Sequence, residues 1–461
     1  MKAPCQSALS IDTLLKTNSL SHSQLGHLSI GLFALVIALI YLYHGLDFLT
    51  FGDSVNHYET IIAGWNPSTG AVTHFLYKNL AHAWYIFVPI DSGIKSIHVF
   101  VAIWGVLGVL MVHLMAFRLS QSIVLSITVA SVWAFSFSHW KTAEIIEVYT
   151  MNSCLVVVFL SLLLLDIKDR GRKRLWAILL VLGLLCFVHI QGTLFYPLML
   201  AYVSYTRQDE TLLKSLSLAL LCLGVCLSPT LGCLWFPEQP LREVFFGGGF
   251  QEEVLSLDPM VIVKGFLQSI MYLIYNFWLA LIPMAYGFRM LWKHHRSFFW
   301  FSLIAAGPTY FFSMRYIVSD NYVFFLPAYL VLLGVFAIGC WYISHKLTKR
   351  TQMLVFVMLM IHQPIAYQTS LWIVEQLPVL EEFKKRKAYK GGLRYYLWPG
   401  MNNNVDILSL SKQIYLSGKT PDFIADFDWQ YSSALNYLRK TEGLPPPPPT
   451  EPELLFYENL K

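Results

Sequence analysis

Stretches of about 20 residues with almost no charge recur along this chain, at 28–49, 96–117, 122–137 and 262–287, and that length spans a hydrocarbon core of about 30 Å as a helix. Lipid offers the backbone no hydrogen bonds, so at such lengths only a helix satisfies its own amides. The composition agrees: 56% of the 461 residues are hydrophobic and 13% charged, against roughly 25% charged in an ordinary soluble domain. The expected fold class is therefore an all-α polytopic membrane protein.

Residues 1–27 carry Lys2 and Lys16 among many Ser and Thr, with no compact apolar core leading to a small-residue cleavage site. The stretch 28–49 thus reads as a retained first span. Basic loops lie at 168–174, 293–296 and 346–350, and the positive-inside bias puts them in the cytoplasm. The acidic or neutral segments 47–91 and 237–259 then face outside. Parity closes on this assignment if 175–205, interrupted by His189, Gln191 and Gly192, forms two spans. The expected count is about eleven spans over 28–374, with a cytoplasmic N-terminal segment at 1–27 and an extracytoplasmic tail at 375–461. In the tail, 422–426 reads as a short strand, 431–439 as a short helix and the prolines 445–449 as an extended spacer.

The seven cysteines fall mostly in apolar segments without disulfide or zinc spacing, and read as packing residues. The net charge of +5 needs no nucleic-acid partner, because basic loops orient a membrane protein. The chemistry must come from polar residues beside the spans. Asp53, just after the first span, is placed to meet a lipid-borne substrate at the membrane surface, and it or Ser54 also reads as a helix N-cap. A second cluster holds His139, Trp140, Glu144, Glu147 and Tyr149. Glu144 and Glu147 are three apart, which puts them on one face of a helix, either lining a polar cavity or serving as a solvated helix end. Arg315, at the outer end of a span, reads either as a phosphate contact or as an interfacial anchor. An outside Asp, a Glu pair and an Arg suit transfer of a sugar from a polyprenyl-phosphate donor to a hydroxyl, and no glycine-rich nucleotide motif is present.

The tract Ser138-His139-Trp140, Ala143-Glu144, Glu147-Val148-Tyr149-Thr150-Met151-Asn152 resembles the GT-C superfamily of multi-spanning glycosyltransferases. Within it, the chain is similar to a bacterial family of unknown function related to the transmembrane protein O-mannosyltransferases. Phe325-Leu326-Pro327-Ala328-Tyr329, Gly183-Leu184 to His189, and in the tail Asp426-Phe427-Asp428-Trp429, Asn436-Tyr437-Leu438 and Glu442-Gly443 resemble further tracts of that family. The resemblance implies that Asp53, in Gly52-Asp53-Ser54, is the catalytic acid of the first outside loop. Where the family has Glu three residues later this chain has Asn56, and Glu59 is the displaced candidate. The family's following His-Pro-x-Gly-x-Pro-Leu-Tyr tract survives as Asn66-Pro67-Ser68-Thr69-Gly70 and His74-Phe75-Leu76-Tyr77.

The expectation is a GT-C-like bundle in the bacterial inner membrane that transfers a sugar, with inversion, from a polyprenyl-phosphate-linked donor to an extracytoplasmic protein or glycan acceptor. Asp53 is the expected general base, and Glu59, His74, His139, Glu144, Glu147, Tyr149 and Arg315 the expected substrate-binding residues. No cofactor is assigned, although a divalent cation is compatible with the carboxylates. A transporter or lipid-linked-sugar flippase and a non-catalytic scaffold for envelope assembly are the alternatives.

Overall fold

The structure, a computed structural model, describes residues 24–43, 48–50, 52–69, 74–168, 171–206, 211–232, 258–316, 318, 320–382, 392–401, 405–417 and 428–445. Among these residues every regular element is a helix. In chain order they are α1 (Gln24–Tyr43), α2 (Ser54–Ala63), α3 (Phe75–Phe87), α4 (Gly93–Ser120), α5 (Ile123–Ala134), α6 (Phe137–Ala143), α7 (Tyr149–Lys168), α8 (Arg172–Val188), α9 (Tyr196–Thr206) and α10 (Leu212–Gly232). There follow α11 (Pro259–Phe277), α12 (Leu281–His294), α13 (Arg296–Arg315), α14 (Leu326–Ser344), α15 (Lys349–Glu375), α16 (Leu393–Leu397), α17 (Ile407–Ser417) and α18 (Asp428–Glu442). The expected strand at 422–426, most of the acidic segment 237–259 and most of the proline run lie outside the described residues. The expected helix at 431–439 is the body of α18.

Among the described residues six helices are long and apolar enough to cross a membrane, or seven if the bent pair α5–α6 counts as one. This is fewer than the expected eleven. Interrupted elements account for much of the difference. The stretch 175–205 is not continuous: α8 ends at Val188, a 3-10 turn covers Ile190–Phe195, and α9 starts at Tyr196. Gly192 is what lets this turn close, since a Cβ there would lie 2.8 Å from the backbone nitrogen of Cys186.

The expected third span breaks too. The pair α5–α6 bends by 70° at Phe135 and Ser136. A bend inside a bundle frees backbone groups, and irregular backbone at membrane depth is tolerated only where protein satisfies them. Here the partners come from far along the chain. Gln363 on α15 donates to the carbonyl of Val132 at 3.0 Å, Tyr367 donates to that of Phe135 at 3.0 Å, and Asn276 on α11 accepts from the amide of Ser138 at 2.9 Å. The bend therefore belongs to the bundle and not to a loose loop.

The most deeply buried long helix is α14. It crosses α12 at backbone contact, where a Cβ on Gly339 would fall 1.8 Å from the Pro283 carbonyl oxygen and one on Gly287 2.2 Å from that of Val335. Any larger residue would force the two helices apart. The short helices α2, α3 and α6 and the first turn of α7 gather at one end of this bundle, which we call the site end. The described parts of the tail pack there as well. The amide of Ile407 donates to the Leu49 carbonyl at 3.0 Å, and Tyr437 of α18 meets Tyr58 of α2 edge-on with ring centroids 5.9 Å apart.

Candidate functional site

The site is built from three short pieces of chain. Gly52 has φ 105°, a left-handed conformation that suits glycine, and its position would bring a Cβ to 3.5 Å from Glu147 Oε1. The turn it makes delivers Asp53 to the start of α2. Asp53 occupies the N-cap position, yet its side chain accepts no capping hydrogen bond, so the carboxylate is not consumed by the helix end. One helical turn on, at the i,i+4 spacing, comes His57. From the 144–148 turn comes Glu147. Its Oε1 accepts from the amide of Asp53 at 3.3 Å, and its Oε2 lies 3.3 Å from His57 Nε2.

A third strand of the site runs through α3. His74, the residue before that helix, is held at φ 51° with its Nδ1 3.1 Å from the Val188 carbonyl oxygen. It stacks on His189 at 5.1 Å and meets His57 edge-on at 5.4 Å. One turn along α3, Lys78 brings its charge within electrostatic range of Asp53 and Glu147. Tyr149 completes this wall, its ring 5.6 Å from that of His189 and its phenol in the field of Asp320, Glu147 and Asp53.

Burial governs the ionisation of this cluster. Glu147 is pushed up to about 8, with the amides of Asp53 and Val148 and the charge of Lys78 opposing the rise. Asp53 is raised by burial and then by the neighbouring Glu147 charge, with His57 and Lys78 pulling the other way. His57 is lowered to about 3, first by burial and then by Lys78, and Lys78 is itself lowered by burial. The result near neutral pH is a neutral His57 imidazole beside a Glu147 held mostly as the acid, with Asp53 and Lys78 completing the cluster.

Asp53, His57 and Glu147 each offer a ligand atom, and these atoms lie within 4.8 Å of one another. Neither His57 nitrogen has a hydrogen-bond partner by strict geometry, although the residue is buried. Two carboxylate oxygens and one neutral imidazole form a donor set that suits a borderline divalent cation such as Zn²⁺ better than a hard cation that prefers all-oxygen ligands. Beside the cluster a small cavity of about 10 Å³ lies between Thr69, His74, Cys186, His189 and Pro229.

The expected site residues divide between this cluster and other places. Asp53, His74, Glu147 and Tyr149 come together in it. Glu144 goes elsewhere, because residues 144–148 form a turn between α6 and α7 and not a helical face. Its Oε1 accepts from the Trp140 indole at 2.5 Å and its Oε2 from the amide of Met401 at 2.7 Å, so it holds the tail onto the bundle. Lys141 does the same work from the last turn of α6, donating to the Tyr395 carbonyl at 2.5 Å with its charge 3.7 Å above the Tyr395 ring. His139 is fully buried, stacked on Trp133 at 4.4 Å and edge-on to Tyr41. Glu59 points to the tail and pairs with Lys440. Arg315 ends α13 with its guanidinium 5.6 Å from the Phe311 ring centre.

Sequence reasoning did not assign His57, Lys78 or His189 to the site. Two of these were findable, since His57 follows Asp53, and Lys78 follows His74, at the i,i+4 spacing that shares a helix face. His189 stood out only as a break in a span.

No family model matches the chain, and no curated protein matches its sequence. Solved structures do match in shape. The structure of ArnT from Cupriavidus metallidurans bound to undecaprenyl phosphate superposes with a TM-score of 0.52 at 16% identity, covering 91% of this chain and 78% of that one. The same protein in the apo state gives a TM-score of 0.52 at 14% identity, covering 90% and 75%. At such low identity the likeness speaks for architecture alone, and the architecture is the one that the sequence resemblance implied: this chain has the GT-C fold.

Proposed function

We propose that the chain transfers a sugar from a polyprenyl-phosphate-linked donor to an acceptor at the extracytoplasmic face of the inner membrane. The observation that carries this reading is the meeting of an uncapped Asp53 with Glu147, His57 and Lys78 at one end of a GT-C fold. A structural neighbour bound to undecaprenyl phosphate supports the class of donor.

In the proposed reaction the acceptor hydroxyl oxygen attacks the anomeric carbon while its proton passes to the Asp53 carboxylate. The bond between that carbon and the phosphate oxygen breaks on the opposite face, and the electron pair leaves with the lipid phosphate. Attack and departure on opposite faces invert the anomeric centre. Lys78 supplies positive charge toward the departing phosphate, the kind of fixed electrostatic stabilisation that suits a leaving anion. Glu147 holds the amide of Asp53 and the ring of His57, which fixes the base relative to α2. A cation held by Asp53, His57 and Glu147 would supply further positive charge at the same place.

Mass spectrometry of envelope glycans and secreted proteins from cells with and without this chain tests the proposal. The expected result is a hexose-sized increment that disappears with the chain. Unchanged masses together with altered sidedness of lipid-linked sugars would replace transfer by flipping.

A further inference from the structure

An apolar groove lies far from the site, at the basic end of the bundle. It encloses about 100 Å³ and is walled by α4, α7, α9, α12, α13 and α14. Its lining is almost wholly apolar. The two lining residues with hydroxyls, Tyr202 and Ser302, spend them on Asp166 and on the Phe298 carbonyl, so the wall offers an incoming ligand no free hydrogen bond. Leu160, Leu164, Phe298 and Phe301 are only half-buried, which leaves the groove open along one side. On α7 the lining runs from Leu160 to Ile167, roughly 10 Å along the helix axis. A groove of this shape and polarity fits an aliphatic chain.

The rim identifies what the chain is attached to. Lining residues at the groove's end are followed or preceded within two positions by exposed cations: Arg118 beside Leu119 on α4, Lys293 beside Leu291 on α12, and Arg296 beside Phe298 on α13. Among the described residues the acid at this end is Asp166, which is buried and already accepts from Tyr202 and from the Gly171 amide. The rim is therefore a cationic arc without an exposed counter-charge among the described residues. We infer that the groove is a binding site for an anionic phospholipid, with one acyl chain between α7, α13 and α14 and the phosphate on Arg118, Lys293 and Arg296. This assignment stands apart from the sugar-transfer reading, since it uses no residue of the site.

The structure also supplies a clean plug. Gly334 lies on the groove wall in α14, and a Cβ built there meets nothing within 4 Å. A side chain at this position enters the groove without displacing backbone, and replacing a mid-helix glycine favours the helix. The experiment is native mass spectrometry of the full chain in detergent, offered equal amounts of dioleoyl phosphatidylglycerol and dioleoyl phosphatidylcholine. The wild type is expected to retain one phosphatidylglycerol per chain, with at least a tenfold preference over phosphatidylcholine. Gly334→Phe, checked for an unchanged or raised melting temperature, is expected to lose that lipid. The smaller Gly334→Leu is the fallback if the Phe variant does not fold. The triple change Arg118→Gln, Lys293→Gln, Arg296→Gln is expected to keep a bound lipid while the preference falls to near one. Equal retention of the two lipids by the wild type, undiminished retention by the plugged variant, or a polyprenyl phosphate as the molecule retained would each overturn the inference.

Discussion

Glu144 and Glu147 sit three residues apart in one turn, both buried, and the structure gives them different surroundings. Glu144 is saturated: an indole and a backbone amide occupy its two oxygens, and beyond them lies the packed tail. Glu147 is shared among groups that are themselves incompletely bonded, an uncapped Asp53 and a His57 whose nitrogens lack well-formed partners. A buried carboxylate with every lone pair directed at a fixed donor stabilises one geometry. One surrounded by other titratable groups is poised for protons, cations or substrate. The contrast separates a joint from a site within a single turn of chain.

Substitutions break this contrast most sharply at Asp53. Loss of a general base costs roughly 100- to 10,000-fold in rate, so Asp53→Asn should abolish measurable transfer while the melting temperature stays within the wild-type range. Glu147→Gln comes next. A hydrogen bond between neutral groups contributes about 0.5–1.5 kcal/mol, so loosening its hold on Asp53 and His57 should lower kcat by several-fold, up to about tenfold, in a steady-state assay.

Glu144→Ala should show the opposite pattern. Each donor left unsatisfied, the Trp140 indole and the Met401 amide, costs about 1–3 kcal/mol, so thermal stability should fall and protease sensitivity of residues 392–401 should rise. The fraction that stays folded should still transfer. A loss of kcat without a loss of stability would move Glu144 back into the site.

The donor set at Asp53, His57 and Glu147 gives a smaller, separate readout. Protein stripped with a chelator should gain thermal stability on addition of Zn²⁺, because a ligand that binds only the folded state stabilises it. His57→Ala should remove that gain, and a wild type with no gain would make the cluster purely a hydrogen-bonded one. Smallest of all is Glu59→Gln. The Glu59–Lys440 pair is solvent-exposed, so its loss should change stability by no more than about 1 kcal/mol and leave activity unchanged.

Hydropathy made the membrane bundle legible, because burial in lipid is written residue by residue along each span. The bend at Phe135 was not legible. Its stabilising partners, Asn276, Gln363 and Tyr367, lie more than a hundred residues away, and nothing local to the α5–α6 tract shows that its freed carbonyls are satisfied. In the site, Asp53 could be read from its place just after a span, and Glu147 from its charge beside one. Pairing Glu147 with Glu144 failed because helical spacing was assumed where the chain makes a turn. Lys78 escaped notice because a lone lysine on a short amphipathic helix carries no mark of the carboxylates that another segment brings to it.

The central claim is that Asp53 is the base of a sugar transfer performed at the site end. The direct measurement is the mass of a defined acceptor incubated with purified protein, membrane lipid and a polyprenyl-phosphate-linked sugar, with wild type and Asp53→Asn compared at equal folded fraction. The account predicts a hexose-sized increment with the wild type and none with Asp53→Asn. Equal increments from the two proteins would contradict it.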